Sequence, residues 1–254
     1  MNKTYLSLAL MTLPLLFSAC GGSSSSSSDS KNDGKGSIDF KEYFPIKDMS
    51  KLFITTQRDG DDIQRSSYSE VINVNGNAIS TTVNTKLIEK VVFTDTNITT
   101  TDTEDDETTV NSIFRNIDLG DTLFTQKQES TESNDLGTIN TSLNYTCILK
   151  SKEEKFEKGD NLYSGDLLKI ECVAQGNVIY DIKQTILDAG AATDLNGTHT
   201  IYDTSYIYLK KELGLVAFIN DDCITNAKLP FLINDNAKTT ACIKQKYDYE
   251  FYIP

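Results

Sequence analysis

The chain has 254 residues, 38% of them hydrophobic and 24% charged, with 12 tyrosines, 11 phenylalanines and no tryptophan. That is enough apolar material, over enough length, to bury a sizeable core. Its net charge of −13 at neutral pH excludes binding to nucleic acid, or to an anionic headgroup surface, through a general electrostatic field, so a charged partner should be basic or metal-bridged.

Residues 1–19 open with Lys3, run through an apolar stretch from Leu6 to Phe17 and end in the small residues Ser18 and Ala19. That is the form of a secretory signal peptide, and the apolar run falls short of the roughly 20 residues a membrane-spanning helix needs. The stretch Leu15, Leu16, Phe17, Ser18, Ala19, Cys20 resembles the lipobox of bacterial lipoproteins, with Phe17 where leucine is usual. The resemblance implies cleavage before Cys20, acylation of Cys20 and attachment to a membrane through that lipid. Gly21 follows, not aspartate, which by resemblance to enterobacterial sorting implies the outer membrane. Cleavage would remove Lys3, the one charge in the leader, and take the net charge from −13 to −14. Residues 20–37 then read as the lipidated cysteine and a flexible Ser/Gly tether, because Gly21 to Ser37 offers no apolar residue from which to build a core.

Residues 38–254 read as a single β domain. Asp39 is placed to cap one helical turn, with Glu42 in the capping-box position, Phe40, Tyr43 and Phe44 on one face, and Pro45 as the stop. From Leu52 onward the apolar period is two. Two alternating runs, 71–74 and 78–83, flank Asn75 and Gly76, the strongest short-range signal for a tight hairpin turn. Further strands are predicted over residues 87–94, 108–115, 122–128, 138–149 and 167–174. A tight turn at Gly176 and Asn177 then leads to a strand over 178–187. Residues 200–210, a turn over 211–214 and residues 215–220 complete a late hairpin. Its sequence over 206–218, YIYLKKELGLVAF, resembles a scaffold hairpin of β-rich envelope lipoproteins. The last strand aligns Tyr247, Tyr249, Phe251 and Ile253 on one face, which predicts that it is paired into the sheet. No stretch of ten residues after Cys20 carries a helical stripe. The fold class is therefore all-β: an antiparallel sheet forming a sandwich or a curled, partly open barrel with little helix.

With Cys20 assigned to lipid, Cys147, Cys172, Cys223 and Cys242 form an even set. In an oxidising envelope compartment these are expected as disulfides, for which sequence allows three connectivities. We favour neighbours. A hairpin pairing Cys147 with Cys172 also pairs Phe156 with Tyr163 and leaves Gly159 and Asp160 at its tip, and the second bridge would join Cys223 to Cys242. The chain has no CxxC spacing and its one histidine, His199, is far from any cysteine in sequence, so zinc is not expected.

No catalytic, metal or cofactor site emerges. His199 lacks a nucleophile and an orienting acid and reads as a solvated loop residue. The acidic run 102–107 lacks the glycine and distal glutamate of a calcium loop and reads as a solvated connection between strands, while Asp59 to Asp62 and Asn234 to Asn236 read as turns. Tyr202, Tyr206 and Tyr208 alternate with Ile207 and Leu209, which predicts a strand covered on both sides. The stretches Asp95-Thr96-Asn97-Ile98-Thr99 and Asp194-Leu195-Asn196-Gly197-Thr198 resemble the acidic-first acceptor sequon of bacterial N-glycosylation systems. The leading expectation is a non-enzymatic, lipid-anchored envelope lipoprotein at the outer membrane, facing the periplasm or the surface, which serves as a structural or interaction module for an envelope protein partner. The alternative is a periplasmic carrier or binding protein for a lipid or other hydrophobic ligand. A carboxylate-based hydrolase comes third, since 37 acidic residues give no means of selecting a pair.

Overall fold

The structure is a computed structural model and describes residues 36–59, 62–104, 107–133, 137–158, 161–188, 196–225 and 246–252. The strands, in chain order, are β1 (Ile38–Asp39), β2 (Met49–Asp59), β3 (Asp62–Asn75), β4 (Ala78–Val83), β5 (Lys86–Phe93), β6 (Asn97–Glu104), β7 (Glu107–Phe114), β8 (Asn116–Ile117), β9 (Thr122–Ser133), β10 (Gly137–Lys158), β11 (Asn161–Ile182), β12 (Gly197–Lys210), β13 (Gly214–Thr225) and β14 (Lys246–Tyr252). Helix is confined, among the described residues, to a 3-10 turn over Phe40–Tyr43 and to α1 (Gln184–Asp188). The all-β, antiparallel fold expected from the sequence is what forms.

Twelve strands make one sheet in the order β7-β6-β5-β4-β3-β2-β14-β13-β12-β11-β10-β9, and β1 pairs with β8 as a separate ribbon. The chain runs outward from β2 to the edge strand β7, crosses through β8 to the opposite edge β9, and returns strand by strand until β14 pairs with both β13 and β2. The carboxyl-terminal strand is thus in the middle of the sheet. Edges β7 and β9 touch without pairing, so the sheet is curled but not closed.

The strap from Gly36 to Phe44 closes one end of the curl. Ser37 donates from its backbone N–H (2.9 Å) and its hydroxyl (2.7 Å) to Asp118, and Ile38 pairs with Ile117. Asp39 caps the 3-10 turn by accepting from the Lys41 N–H and also takes the Arg115 Nε at 2.8 Å, which holds its carboxyl below the usual range. Phe40, Tyr43 and Phe44 are buried as expected, with Phe44 edge-on to Phe40 and to Phe93 of β5. Glu42 does not form the capping box. Its carbonyl accepts from the Glu212 N–H and its carboxylate pairs with Lys211, fastening the strap to the β12–β13 turn. One core cluster draws on the strap and on both halves of the sheet, from Phe53, Val91 and Ile98 to Leu149, Ile170, Leu209 and Val216.

Local departures from the sequence reading have identifiable causes. The first hairpin turns on Gly76 and Asn77, one residue later than predicted, with Asn75 opposite Ala78 and Gly76 at φ +61°; this puts the glycine first, where a II′ turn wants it. The predicted turn at Gly176 and Asn177 does not exist, because β11 runs straight through it. A Cβ on Gly176 would lie 2.0 Å from the Ser142 carbonyl oxygen of β10, so this glycine serves a close strand approach. The strand expected over 178–187 ends at Ile182, opposite Gly137, the first residue of β10; beyond that point no strand is left to pair with, and the chain forms α1.

The β10–β11 hairpin has register irregularities between Leu149 and Ser151 and between Glu153 and Lys155. Past them, Phe156 stacks on Tyr208 at 3.9 Å and on Tyr163 at 6.2 Å, and Lys169 lies 4.4 Å over Tyr206. The outer face of β12 is therefore covered at Tyr208 and open at Tyr202. Two stability changes follow. Gly176→Ala should lower the chemical unfolding free energy by about 1–3 kcal/mol through overpacking. Thr85, a β-branched residue at φ +69° in the β4–β5 turn, should gain about 1 kcal/mol when changed to glycine.

Candidate functional site

Strands β2 to β6 each turn alternate residues into the curl. Nearest the strap this inner wall is apolar, with Ile79, Phe93, Ile98 and Ile113 buried. Beside these residues the wall becomes charged. Lys51 on β2 stands opposite Glu70 on β3, and Thr81 on β4 opposite Glu89 on β5, which in turn stands opposite Asp102 on β6. Lys51 is 3% exposed, Glu70 5% and Asp102 2%, and Thr100, two residues before Asp102, is 1% exposed. Glu89 is half-buried.

A β-bulge borders this arrangement. Between Thr81/Glu89 and Thr82/Leu87 the register shifts by one, with Ile88 as the extra residue. Glu89 faces inward by alternation with the buried Val91 and Phe93, and the bulge just beyond it turns Leu87 rather than Ile88 opposite Thr82.

Lys51 Nζ donates to the Leu213 carbonyl at 2.7 Å, linking the layer to the β12–β13 turn, and Thr81 Oγ1 reaches Glu89 Oε2 at 3.5 Å. Burial pushes the Glu70 carboxyl up to about 8, against the pull of the Lys51 ammonium, and Glu89 to about 7, against Lys51 and the Thr81 hydroxyl. The same burial brings Lys51 down to about 8, opposed by both glutamates. Glu70 Oε1 and Thr100 Oγ1 have no hydrogen-bond partner among the described residues. Chemically the layer sets Lys51, Glu70 and Glu89 in one poorly solvated environment that disfavours the charged form of each. Among the described residues no group of three or more His, Cys, Asp or Glu is placed to hold a metal ion.

The sites singled out in the sequence are dispersed. Cys147 and Cys172 are bonded, in direct register on β10 and β11 with Cα atoms 4.0 Å apart, and Phe156 pairs with Tyr163 as the register argument required. Cys223 lies on β13, opposite Tyr202; Cys20, Cys242, the cluster Asn234 to Asn236 and the hairpin tips at 60–61 and 159–160 lie outside the described residues. His199 is a correction: it is buried within β12, opposite Val178, with its ring edge-on to Tyr180 at 5.5 Å, because the inward face of β12 continues to the strand's first residues. The acidic run is a second correction. Asp102 and Glu104 belong to β6 and Glu107 to β7, and Asp102 faces inward because it stands opposite Glu89. Of the two glycosylation-like stretches, Asn97 begins β6, its backbone N–H bonded to Thr94 Oγ1, and Asn196 accepts the Ile182 N–H through its side chain.

Lys51, Glu70 and Glu89 were missed. The available signal was a charge inside an otherwise apolar strand, as in Leu87-Ile88-Glu89-Lys90-Val91, where Glu89 alternates with Val91 and Phe93 and so shares their face. Comparison with protein-family models, with curated proteins and with solved structures found no match.

The layer makes stability depend on pH in a defined direction. Both glutamates have raised values when folded, so their contribution is full below about 4.5 and is lost as pH rises through about 7 to 8. Lys51 is lowered, so its contribution is present above about 10.5 and lost as pH falls through about 8. The urea midpoint should therefore fall from about pH 5 to a minimum near 8 and recover above it, and Glu70→Gln should flatten the acid-side fall. A level midpoint between about pH 5 and 8 in the native chain would contradict this.

Proposed function

We propose that this chain is a lipid-anchored lipoprotein of the outer membrane, attached through Cys20, whose β domain is a non-enzymatic interaction module. The observation that carries the reading is the strap. The tether leads into Gly36 and Ser37, which are fastened at Asp118, and continues through the Asp39–Arg115 pair to the Glu42–Lys211 pair. A domain whose entering chain is fastened to both halves of its sheet is held in a fixed orientation on its tether, which suits presentation of a surface.

The interior argues in the same direction. It is occupied by side chains from both halves and by the strap's phenylalanines, and part of its wall carries Lys51, Glu70, Glu89 and Asp102. A hydrophobic guest placed against those groups would strip them of polar surroundings at a cost of several kcal/mol. That favours an interaction module over a carrier of hydrophobic ligands.

Metabolic labelling with an alkyne palmitate analogue followed by membrane fractionation tests the anchor. The native chain should take up label and sediment with membranes, and Cys20→Ala should lose both; label retained by the variant would refute acylation at Cys20. Native mass spectrometry of the mature chain tests the module reading, which predicts an unliganded mass; a stoichiometric co-purifying lipid would favour the carrier.

A further inference from the structure

On the outer face of the opposite half of the sheet is a hollow of about 440 Å³, lined by Glu129 and Thr131 of β9, Asn140 and Ser142 of β10, and Asn177 and Ile179 of β11. Its size is within the range of small-ligand sites. The six residues form two rungs across three strands: Glu129–Ser142–Asn177 and Thr131–Asn140–Ile179. The neighbouring Leu143 and Val178 are buried in the interior, so the rungs face outward.

The hydrogen bonds fix what the rungs offer. Thr131 Oγ1 donates to Asn140 Oδ1 at 2.8 Å, and Thr200 Oγ1 of β12 donates to Asn177 Oδ1 at 3.3 Å. Each amide thus has its oxygen engaged by a neighbouring hydroxyl, and its NH2 group carries two donors. Ser142 adds a hydroxyl and Glu129 an acceptor. The floor is a field of alternating donors and acceptors whose one carboxylate, Glu129, is paired with Lys127 at 2.6 Å. Apolar surface lies beside it: Ile179 is exposed, and Tyr202, two residues along β12 from Thr200 and on the same face, is 44% exposed.

We infer that this outer face of β9–β12 is a binding groove for a neutral oligosaccharide. A sugar chain offers many hydroxyls that both donate and accept, no net charge, and apolar C–H faces that lie against an exposed aromatic ring or an aliphatic side chain. A chain of net charge −13 disfavours anionic polymers. A basic peptide would find one carboxylate. The rungs end at β9, which has no strand paired beyond it, so a polymer longer than the hollow can run past them over the outer surface. The inference rests on reading the domain as an interaction module and names the class of its partner.

The test is isothermal titration calorimetry of the full lipidated chain in lauryldimethylamine oxide, a detergent without a sugar headgroup, with maltohexaose, chitohexaose and hexagalacturonate. At least one neutral hexasaccharide should bind and the anionic one should not. Tyr202→Ala and Asn177→Leu should each weaken binding tenfold or more, Thr131→Arg should abolish it by filling the hollow, and Leu87→Ser, at an exposed position of β5 in the other half of the sheet, should leave it unchanged. Unchanged circular dichroism of the variants separates lost binding from lost folding. Absence of binding by both neutral sugars, equal binding of hexagalacturonate, or binding indifferent to all three groove changes would overturn the assignment. A chain that binds sugar but takes no label at Cys20 keeps the groove and loses the anchor; a labelled chain that binds neither neutral sugar keeps the anchor and loses the groove.

Discussion

Eight residue steps, from Phe114 to Thr122, join the two edges of a twelve-stranded sheet. Laid flat, with neighbouring strands about 4.8 Å apart, those edges would be roughly 50 Å from each other, whereas eight extended residues reach about 29 Å at most. The sheet has to curl. This constraint decides which faces are inside, brings β7 and β9 into contact, and leaves a seam that β8 crosses at one end. The strap then has a place to bind, because β8 offers the partner for β1 and the end of the curl offers an apolar mouth for Phe40 and Phe44.

Curling also separates the two halves chemically. The β9–β13 half buries leucine, isoleucine, valine and the Cys147–Cys172 bridge, and its outer face carries amides, hydroxyls and tyrosines. The β2–β7 half is rich in threonine and puts charge on the inside. The strap touches both, at Asn77 and Phe93 on one side and at Lys211 and Glu212 on the other. Lys51 extends the connection inward by donating to the Leu213 carbonyl. The anchored end, the charged layer and the late hairpin are therefore mechanically contiguous.

The sequence carried the elements better than their faces. Asp39, Phe40, Tyr43 and Pro45 announced the strap's turn because capping and helix-stopping are local chemistry. Cys147 and Cys172 could be paired because a hairpin register is fixed by its tip, and the Phe156–Tyr163 pair checks it. The β12–β13 hairpin was legible for the same reason. Gly176 was misread because a glycine that permits a close strand approach and one that permits a turn look alike in sequence; the distinction lies in the Ser142 carbonyl. Asp102 was misread because five acids in a short run resemble a solvated loop. Its position inside β6 follows from alternation with the buried Ile98 and Thr100 and from pairing with Glu89, and with Ile98 the one aliphatic residue of the strand the local pattern announces neither.

That chain of dependence gives the buried charges a role in specifying the fold. In β6, which reads NITTTDTE, Ile98 is the one residue of aliphatic or aromatic type, so hydrophobic patterning distinguishes its faces by a single side chain. A slip would, however, carry Asp102 out of the layer and replace it with Thr101 or Thr103, and would bring Ile98 to the surface. Lys51 opposite Glu70 discriminates in the same way between β2 and β3. Buried polar groups that add little stability can still select one register among near-equals. In a threonine-rich sheet whose edges must meet, an error of register in any strand would displace every strand beyond it, and the charged layer lies where the apolar signal is weakest.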